Sequence, residues 1–513
     1  MAGVAVTGTP AAPATAQPNI LLLFVDNVGY GDLGCYGNRE VLTPRIDRLA
    51  REGARCLDFQ VVTTSCTPSR GALLTGRHPF RNGLSHQLSP AENRAGIGLP
   101  HGERLIPQFL RAVGYATACF GKWNIGFAPG SRPTERGFDE FLGFCSGNIG
   151  YYEHLYGGEH DLFRGTEPFR ADAYSTDLFA DAAIDFMRRH SGRPWFVYLP
   201  FNAAHFVSAG NVPPGVKPIW PAPAAAFARY GVGADEPDER RRYRAVLTAL
   251  DDAVGRVLDE IDTLRLRERT LVIFISDNGA FMLPGRGLEV ASNGPLRAGG
   301  TTCYEGGTRV PALFRWPGRI PAGRDVRAML TQMDVLPLCL AAAGAPRETG
   351  RILDGRDPLP ALVEGARSPH ARMGFGYAKG AGYRQGDLKI VRETPEKPWG
   401  LYDLAADLGE SRDLARERPA DLARLTAAHH AWLEDVRRDA KRSERQRRKQ
   451  NQRFARDKTR EEMQWLVQQN QSLQQRLENI ENQTLNFQKG SLDQDYQQAL
   501  YGVTAAENQL AKA

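Results

Sequence analysis

The sequence predicts an α/β protein: a large mixed, mostly parallel sheet sandwiched by helices, with a smaller C-terminal antiparallel-sheet subdomain and a helical tail. Three observations carry that reading. Short apolar runs alternate with longer stretches of helical periodicity, polar residues gather directly after several of those runs, and the composition changes character near Pro346 and again near Lys441.

The first run, Asn19–Val25 (NILLLFV), is continuously apolar and ends in Asp26, Asn27 and then Gly29. A short apolar run bounded in this way reads as a strand buried on both faces. Similar runs follow at Ala116–Phe120, Trp195–Leu199, Leu271–Ser276 and Pro311–Arg315, with helical patterns at Pro44–Glu52, Arg104–Val113, Ser175–Arg189 and Arg242–Leu264. Strands alternating with helices imply a mostly parallel sheet covered on both sides. Asp26 and Asn27, Lys122, and Asp277 and Asn278 stand at the C-terminal ends of three of these runs. In open α/β sheets that edge is where ligands bind.

Beyond Pro346 the runs become short and extended, as in LKIV at 388–391 and GLYDL at 400–404, and a helix-like stretch follows at Pro419–Val436. A small antiparallel sheet with a helix fits this pattern. Residues 441–513 are rich in Gln, Asn, Lys and Arg and contain no proline. Leu466, Leu473, Ile480 and Phe487 recur at heptad spacing, with Leu477 between them and polar Asn470 and Thr484 on the second row. Two readings stay open: a coiled coil that joins copies into a homo-oligomer, or one amphipathic helix packed on its own domain. The expected division is therefore a flexible leader at 1–18, a catalytic α/β domain at 19–345, a subdomain at 346–440 and a basic helical tail at 441–513.

The chain has 513 residues, 42% hydrophobic and 24% charged, enough for a sizeable core. Its formal charge of +6 is concentrated between Lys441 and Arg460, a run that reads as a solvated helix face and not as a nucleic-acid site. No apolar stretch is long enough to span a bilayer. The leader lacks the basic start and apolar centre of a signal peptide. The cysteines, at 35, 56, 66, 119, 145, 303 and 339, are odd in number and scattered, without zinc-site spacing. That pattern leans towards a reducing, cytoplasmic compartment and leaves the periplasm or secretion open.

The segment with the sharpest chemistry is Ser65-Cys66-Thr67-Pro68-Ser69-Arg70, followed by Leu74-Thr75-Gly76-Arg77. Cys66 precedes a proline suited to a first helical turn, which places it where backbone N–H groups favour an anion. Arg70, one turn on, can hold a charged oxygen. Read alone, such a cysteine is more often a small buried apolar residue.

Cys-x-Pro-x-Arg followed by Leu-Thr-Gly-Arg resembles the signature of the formylglycine-dependent sulfatases, arylsulfatase-like members of the alkaline phosphatase superfamily. In that family a formylglycine-generating enzyme oxidises the cysteine, and the hydrated aldehyde attacks sulfur. The resemblance runs from about Asn19 to Leu414. FVDNVGYGDLGCYGN and ISDNGA resemble the family's two metal segments, which implies Asp26, Asn27, Asp277 and Asn278, with the formylglycine from Cys66, as ligands of Ca2+ or Mg2+. FGKWNIG and FNAAHFV resemble the segments of the active-site lysine and the leaving-group histidine, implying catalytic roles for Cys66, Arg70, Lys122, Asn124 and His205. Lys122, His205 and Ser146 (in FLGFCSGN) are then the substrate contacts. YEGGTRVPALFRWPG at 304–318 and the segments within 383–414 resemble family scaffold.

Three positions depart from the family. Asn27 stands for an aspartate, Asn124 for a histidine, and Gly300 for a lysine, with Arg297 the nearest basic side chain that could compensate. Asn27 keeps an oxygen ligand and removes one negative charge; Asn124 can orient an oxygen but cannot take up a proton. The resemblance implies a sulfuric ester hydrolase acting on a small-molecule or carbohydrate sulfate. The aromatic run at 150–165 suits a sugar at the pocket rim. Two alternatives remain: a phosphonate or phosphodiester hydrolase of the same superfamily, and an inactive sulfatase fold that binds through an oligomerising tail.

Overall fold

The computed structural model describes residues 17–213, 219–282, 289–438 and 493–512, with scattered positions from 456 to 475. Its centre is a ten-stranded sheet. From edge to edge the strands are Arg324–Val326, Ala54–Cys56, Ala312–Arg315, Thr270–Ser276, Asn19–Val25, Trp195–Pro200, Ala116–Lys122, Glu140–Phe144, Phe163–Arg164 and Glu167–Pro168. Thr270–Ser276, Asn19–Val25, Trp195–Pro200, Ala116–Lys122 and Glu140–Phe144 are mutually parallel. The expected α/β class and mostly parallel sheet are what the chain adopts.

The apolar run Asn19–Val25 serves both faces of the sheet. Leu21, Leu23 and Val25 enter one core with the helices Ser175–Arg189 and Glu239–Thr263. Ile20, Leu22 and Phe24 enter the other, with Leu73 and Leu74 of the helix Cys66–Thr75 and with Val335–Ala343. Two-sided burial is why the run shows no polar alternation.

Ala312–Arg315 joins the sheet antiparallel to Thr270–Ser276. The chain leaves Ser276 at the carboxyl edge and turns through the short helix Glu305–Thr308, so the next strand starts from that edge and runs back. Ala54–Cys56, Glu140–Phe144 and the outer strands lie outside the runs that the sequence singles out, being short or glycine-bearing. Helix ends follow their caps. Leu105 is extended and Pro107 sits in the first turn, so the helix expected from Arg104 covers Ile106–Arg111. Asp238 accepts from the Arg240 N–H and starts Glu239–Thr263 ahead of the expected Arg242.

The later segment forms a four-stranded antiparallel sheet, Arg372–Tyr377, Gly380–Gln385, Leu388–Arg392 and Gly400–Asp403, and residues 419–438 are helical. The chain divides into two compact units, 1–445 and 446–513. In the second, Gly502 of the helix Asp493–Leu510 lies against Leu473. The seam residues Leu466, Leu477, Ile480 and Phe487, most of the run from Lys441 and most of the leader lie outside the described residues. No described helix is long and apolar enough to cross a membrane.

Candidate active site

Register brings the two acidic turns together. Val25 pairs with Ser276, so both strands end at one level. The Asp277 N–H then donates to the Val25 carbonyl (2.9 Å), and the Asn27 N–H donates to Asp277 Oδ1 (3.1 Å). Asn27 takes a left-handed φ of 59°, a conformation asparagine tolerates better than most side chains. The Asn278 amide donates to Asn27 Oδ1 at 2.5 Å. Asp26, Asn27, Asp277 and Asn278 are all at most 4% exposed.

Below this edge the chain passes through extended Ser65 into the wholly buried helix Cys66–Thr75, which ends on Gly76 at φ 63°. Cys66 Sγ lies 3.4 Å from Asp26 Oδ1. Burial, followed by the Asp26 charge, pushes the Cys66 thiol well above its ordinary range, so the unmodified side chain keeps its proton. Arg70, one turn on, pairs with Asp277 Oδ2 at 2.8 Å, approaches Asp26 Oδ2 at 3.6 Å and donates to the Lys122 carbonyl at 3.2 Å. Lys122 Nζ reaches Asp26 Oδ2 at 2.5 Å. Ser69 anchors the helix by donating to the Asp277 carbonyl (2.5 Å).

Two carboxylates therefore share two buried cations at close quarters. Burial first, and then the Asp26 charge, raise Asp277 despite Arg70 and Lys122. Asn278 Oδ1 is buried with no hydrogen-bond partner. Hard oxygen donors from two turns, one of them unsatisfied, suit a divalent cation such as calcium or magnesium.

His205 follows Trp195–Pro200 at the same edge and is 9% exposed. One of its ring nitrogens groups with Cys66 Sγ and an Asp26 oxygen, all within 4.8 Å of one another. Nδ1 lies 2.8 Å from the Phe206 carbonyl, which as an acceptor requires the proton on Nδ1. Burial, then the Lys122 charge, push the imidazole down to about 3. The ring is backed by Asn148, whose amide donates to the Phe206 carbonyl (3.1 Å) and Ser208 Oγ (3.2 Å), and by Tyr151, whose hydroxyl donates to the His205 carbonyl (2.9 Å). Tyr151, in the aromatic run read as a pocket rim, is thus fully buried behind the histidine.

Ser146 is also buried, its hydroxyl donating to the Asn148 carbonyl (3.3 Å) and its N–H to Asp161 (2.9 Å). Arg297 does not supply a charge in place of Gly300. Its guanidinium lies 4.0 Å over Tyr304 and donates to the Glu410 carbonyl (2.8 Å) and Tyr402 (3.3 Å), on the side of the small sheet. At Gly300 itself a Cβ would stand 2.6 Å from the Phe281 ring and 2.7 Å from the Gly279 carbonyl, leaving no room for a side chain.

A cysteine at a helix start, paired acid–amide turns and buried Arg, Lys and His at the carboxyl edge of a parallel sheet suit an anionic ligand. Comparison with known proteins makes the class specific. A family model described as Sulfatase matches residues 18–345. N-acetylgalactosamine-6-sulfatase of Canis lupus familiaris is 36% identical over 381 residues, covering 70% of this chain and 68% of that protein. Arylsulfatase A of Homo sapiens is 35% identical over 460 residues, covering 77% and 83%. The crystal structure of Ps i-CgsB superposes with a TM-score of 0.72 at 30% identity, covering 82% of this chain and 93% of that one. The chain belongs to the sulfatase family and is a sulfuric ester hydrolase.

Proposed function

We propose that this enzyme removes sulfate from a carbohydrate sulfate ester, with Cys66 matured to formylglycine by a formylglycine-generating enzyme and with calcium, or magnesium, as cofactor. The observation that carries this reading is the convergence of buried Cys66, Arg70, Lys122 and His205 on the oxygens of Asp26, Asn27, Asp277 and Asn278. A carbohydrate is favoured because similar proteins include an N-acetylgalactosamine-6-sulfatase and a structure solved in complex with k-i-k-neocarrahexaose, 29% identical.

Asp26, Asn27, Asp277 and Asn278 would hold the cation, with an oxygen of the matured Cys66 completing the set. When bound, the cation supplies positive charge that draws in the sulfate oxygens and polarises the ester. The hydrate of the matured residue provides an oxygen nucleophile, which a protonated thiol does not. Arg70 and Lys122 hold the sulfuryl oxygens as charge gathers on them. His205, kept in orientation by Phe206, Asn148 and Tyr151, passes a proton to the departing alcohol oxygen. Burial and the Lys122 charge keep the imidazole neutral in the free pocket, so the proton it gives away is one it takes up as a bound anion offsets the Lys122 charge.

The test has two parts. In protein made with a formylglycine-generating enzyme, the tryptic fragment ending at Arg70 should be lighter by about 18 Da, the change from cysteine to formylglycine. That protein should release inorganic sulfate from N-acetylgalactosamine 6-sulfate faster than it cleaves the matching phosphodiester or phosphonate. An unmodified fragment with no turnover would overturn the mechanism. Faster phosphonate cleavage would favour the alternative chemistry, which the fold accommodates: a phosphonate monoester hydrolase from Silicibacter pomeroyi superposes with a TM-score of 0.59 at 20% identity.

A further inference from the structure

We propose that Asn124, Gln87 and Gly147 form an amide cradle that donates hydrogen bonds to an oxygen of the sulfuryl group held at residue 66. This rests on the sulfatase reading and adds a contact whose polarity is set by a relay of hydrogen bonds. The relay starts at the nucleophile helix. The Thr67 N–H, in the first turn and without an intrahelical acceptor, donates to Gln87 Oε1 at 3.1 Å. Ser65 Oγ donates to the same oxygen at 2.9 Å. Gln87 must therefore point its oxygen at the helix and its nitrogen away.

Gln87 Nε2 then donates to Asn124 Oδ1 at 3.2 Å. Thr67 Oγ1 accepts the Leu88 N–H (3.3 Å) and gives its own proton to that same Asn124 oxygen at 3.0 Å. Two donors fill Asn124 Oδ1, so its Nδ2 faces the other way. Asn124 is fully buried, and Nδ2 has no hydrogen-bond partner. A buried N–H without an acceptor is costly, which marks this one as waiting for a ligand.

The space in front of it is kept by Gly147. A Cβ there would stand 3.7 Å from Asn124 Nδ2 and 3.3 Å from Gln87 Nε2, so the missing side chain leaves a gap bordered by two amide nitrogens. The gap takes an acceptor atom. Thr67, the neighbour of residue 66, donates to Asn124 Oδ1, which sets the gap beside the start of the helix that carries Cys66. The acceptor that belongs there is an oxygen of the tetrahedral anion. Asn124 is then a binding group with no capacity to take a proton, and Gln87 is the residue that positions it.

The probe is inorganic sulfate as a competitive inhibitor of the matured, calcium-loaded enzyme, alongside Tm. Asn124→Asp replaces the donor by a charged acceptor. Gly147→Ala fills the gap. Gln87→Glu leaves Asn124 untouched but puts an oxygen opposite its carbonyl, so the amide reverses and turns its oxygen to the anion. Each should raise the sulfate inhibition constant about tenfold or more, the scale of a charge-assisted hydrogen bond, with Tm nearly unchanged in Gly147→Ala, which adds no charge. Inhibition constants within about twofold of the parent in Gly147→Ala and Gln87→Glu, a factor well below one such bond, would overturn the cradle and leave the sulfatase reading intact. A parent enzyme that neither turns over a sulfate ester nor binds sulfate would overturn both.

Discussion

Two buried ionic networks lie within the first unit, and they are built to opposite ends. In one, Lys389 pairs with Glu305 (2.7 Å) and Glu410 (3.2 Å), Arg309 with Glu305 (2.5 Å) and Asp58 (3.3 Å), and Arg384 with Asp58 (2.7 Å). Both oxygens of Glu305 and of Asp58 are held. Burial works to raise Glu305, yet Lys389, Arg309 and Arg384 keep it well below the usual carboxylate range. In the other network, Asp26 and Asp277 share Arg70 and Lys122, and Asp277 is raised instead. Amide atoms of Asn27, Asn124 and Asn278 are left without partners there. In the first network every charged group has an opposite partner, and together they fasten the small sheet to the turn at Glu305. That turn in turn supports Gly279 through its N–H to the Gly307 carbonyl (3.1 Å). The second leaves amide atoms without partners, the feature on which the proposed cation and anion rest.

The largest expected effect tests the pocket. Cys66→Ala should bring sulfate release down to the uncatalysed rate, measured as inorganic sulfate from a sulfated monosaccharide. Near-parental turnover would put the nucleophile elsewhere. The first network should answer in stability: Glu305→Gln leaves Lys389 and Arg309 short of charge and should cost about 3–5 kcal/mol by urea unfolding. Asn278→Ala in the pocket should cost less, about 1–3 kcal/mol for the acceptors it leaves unpaired, while weakening calcium binding. The reverse order of those two costs would dissolve the contrast.

Calcium at about 100 times its dissociation constant should stabilise the parent by about 2.7 kcal/mol. The readout is a rise in Tm that chelation reverses. The same rise in Asn278→Ala would place the ion away from that residue.

The smallest effect lies outside both networks. Asp251 accepts the Arg45 and Ile46 N–H groups at the start of the helix Pro44–Glu52, at 3.1 and 2.7 Å. Burial pushes it up to about 7 from 3.8. A raised carboxyl pKa means that the folded chain holds the extra proton within that window, so its stability contribution is full below the lower value and lost as pH rises through the upper one. Asp251→Asn stays neutral, so its Tm should gain on the parent between those pH values. A constant gap would show that the carboxyl is ionised throughout.

Much of the site was legible locally. Cys66, Arg70, Lys122 and the Asp26 and Asp277 turns each sit in short motifs, or at the end of an apolar run, and the parallel register brings them together. Gln87 was not legible: it lies in an undistinguished stretch, and its partner Asn124 is 37 residues away. Gly147 had one faint signal, its place next to Ser146 in FLGFCSGN. Arg297 looked available because sequence distance says nothing of direction, and its guanidinium turns to Tyr402 and Glu410.

By itself the sequence determined the α/β class, the strands buried on both faces and the family. Apolar periodicity, helix caps and a contiguous nucleophile motif are local properties, and local physics reads them. Only the tertiary structure decided which carboxylate each cation faces, which way the Asn124 amide points and where Arg297 is spent. These are matters of distance and orientation between residues far apart in the chain, set by sheet register and the satisfaction of buried polar atoms.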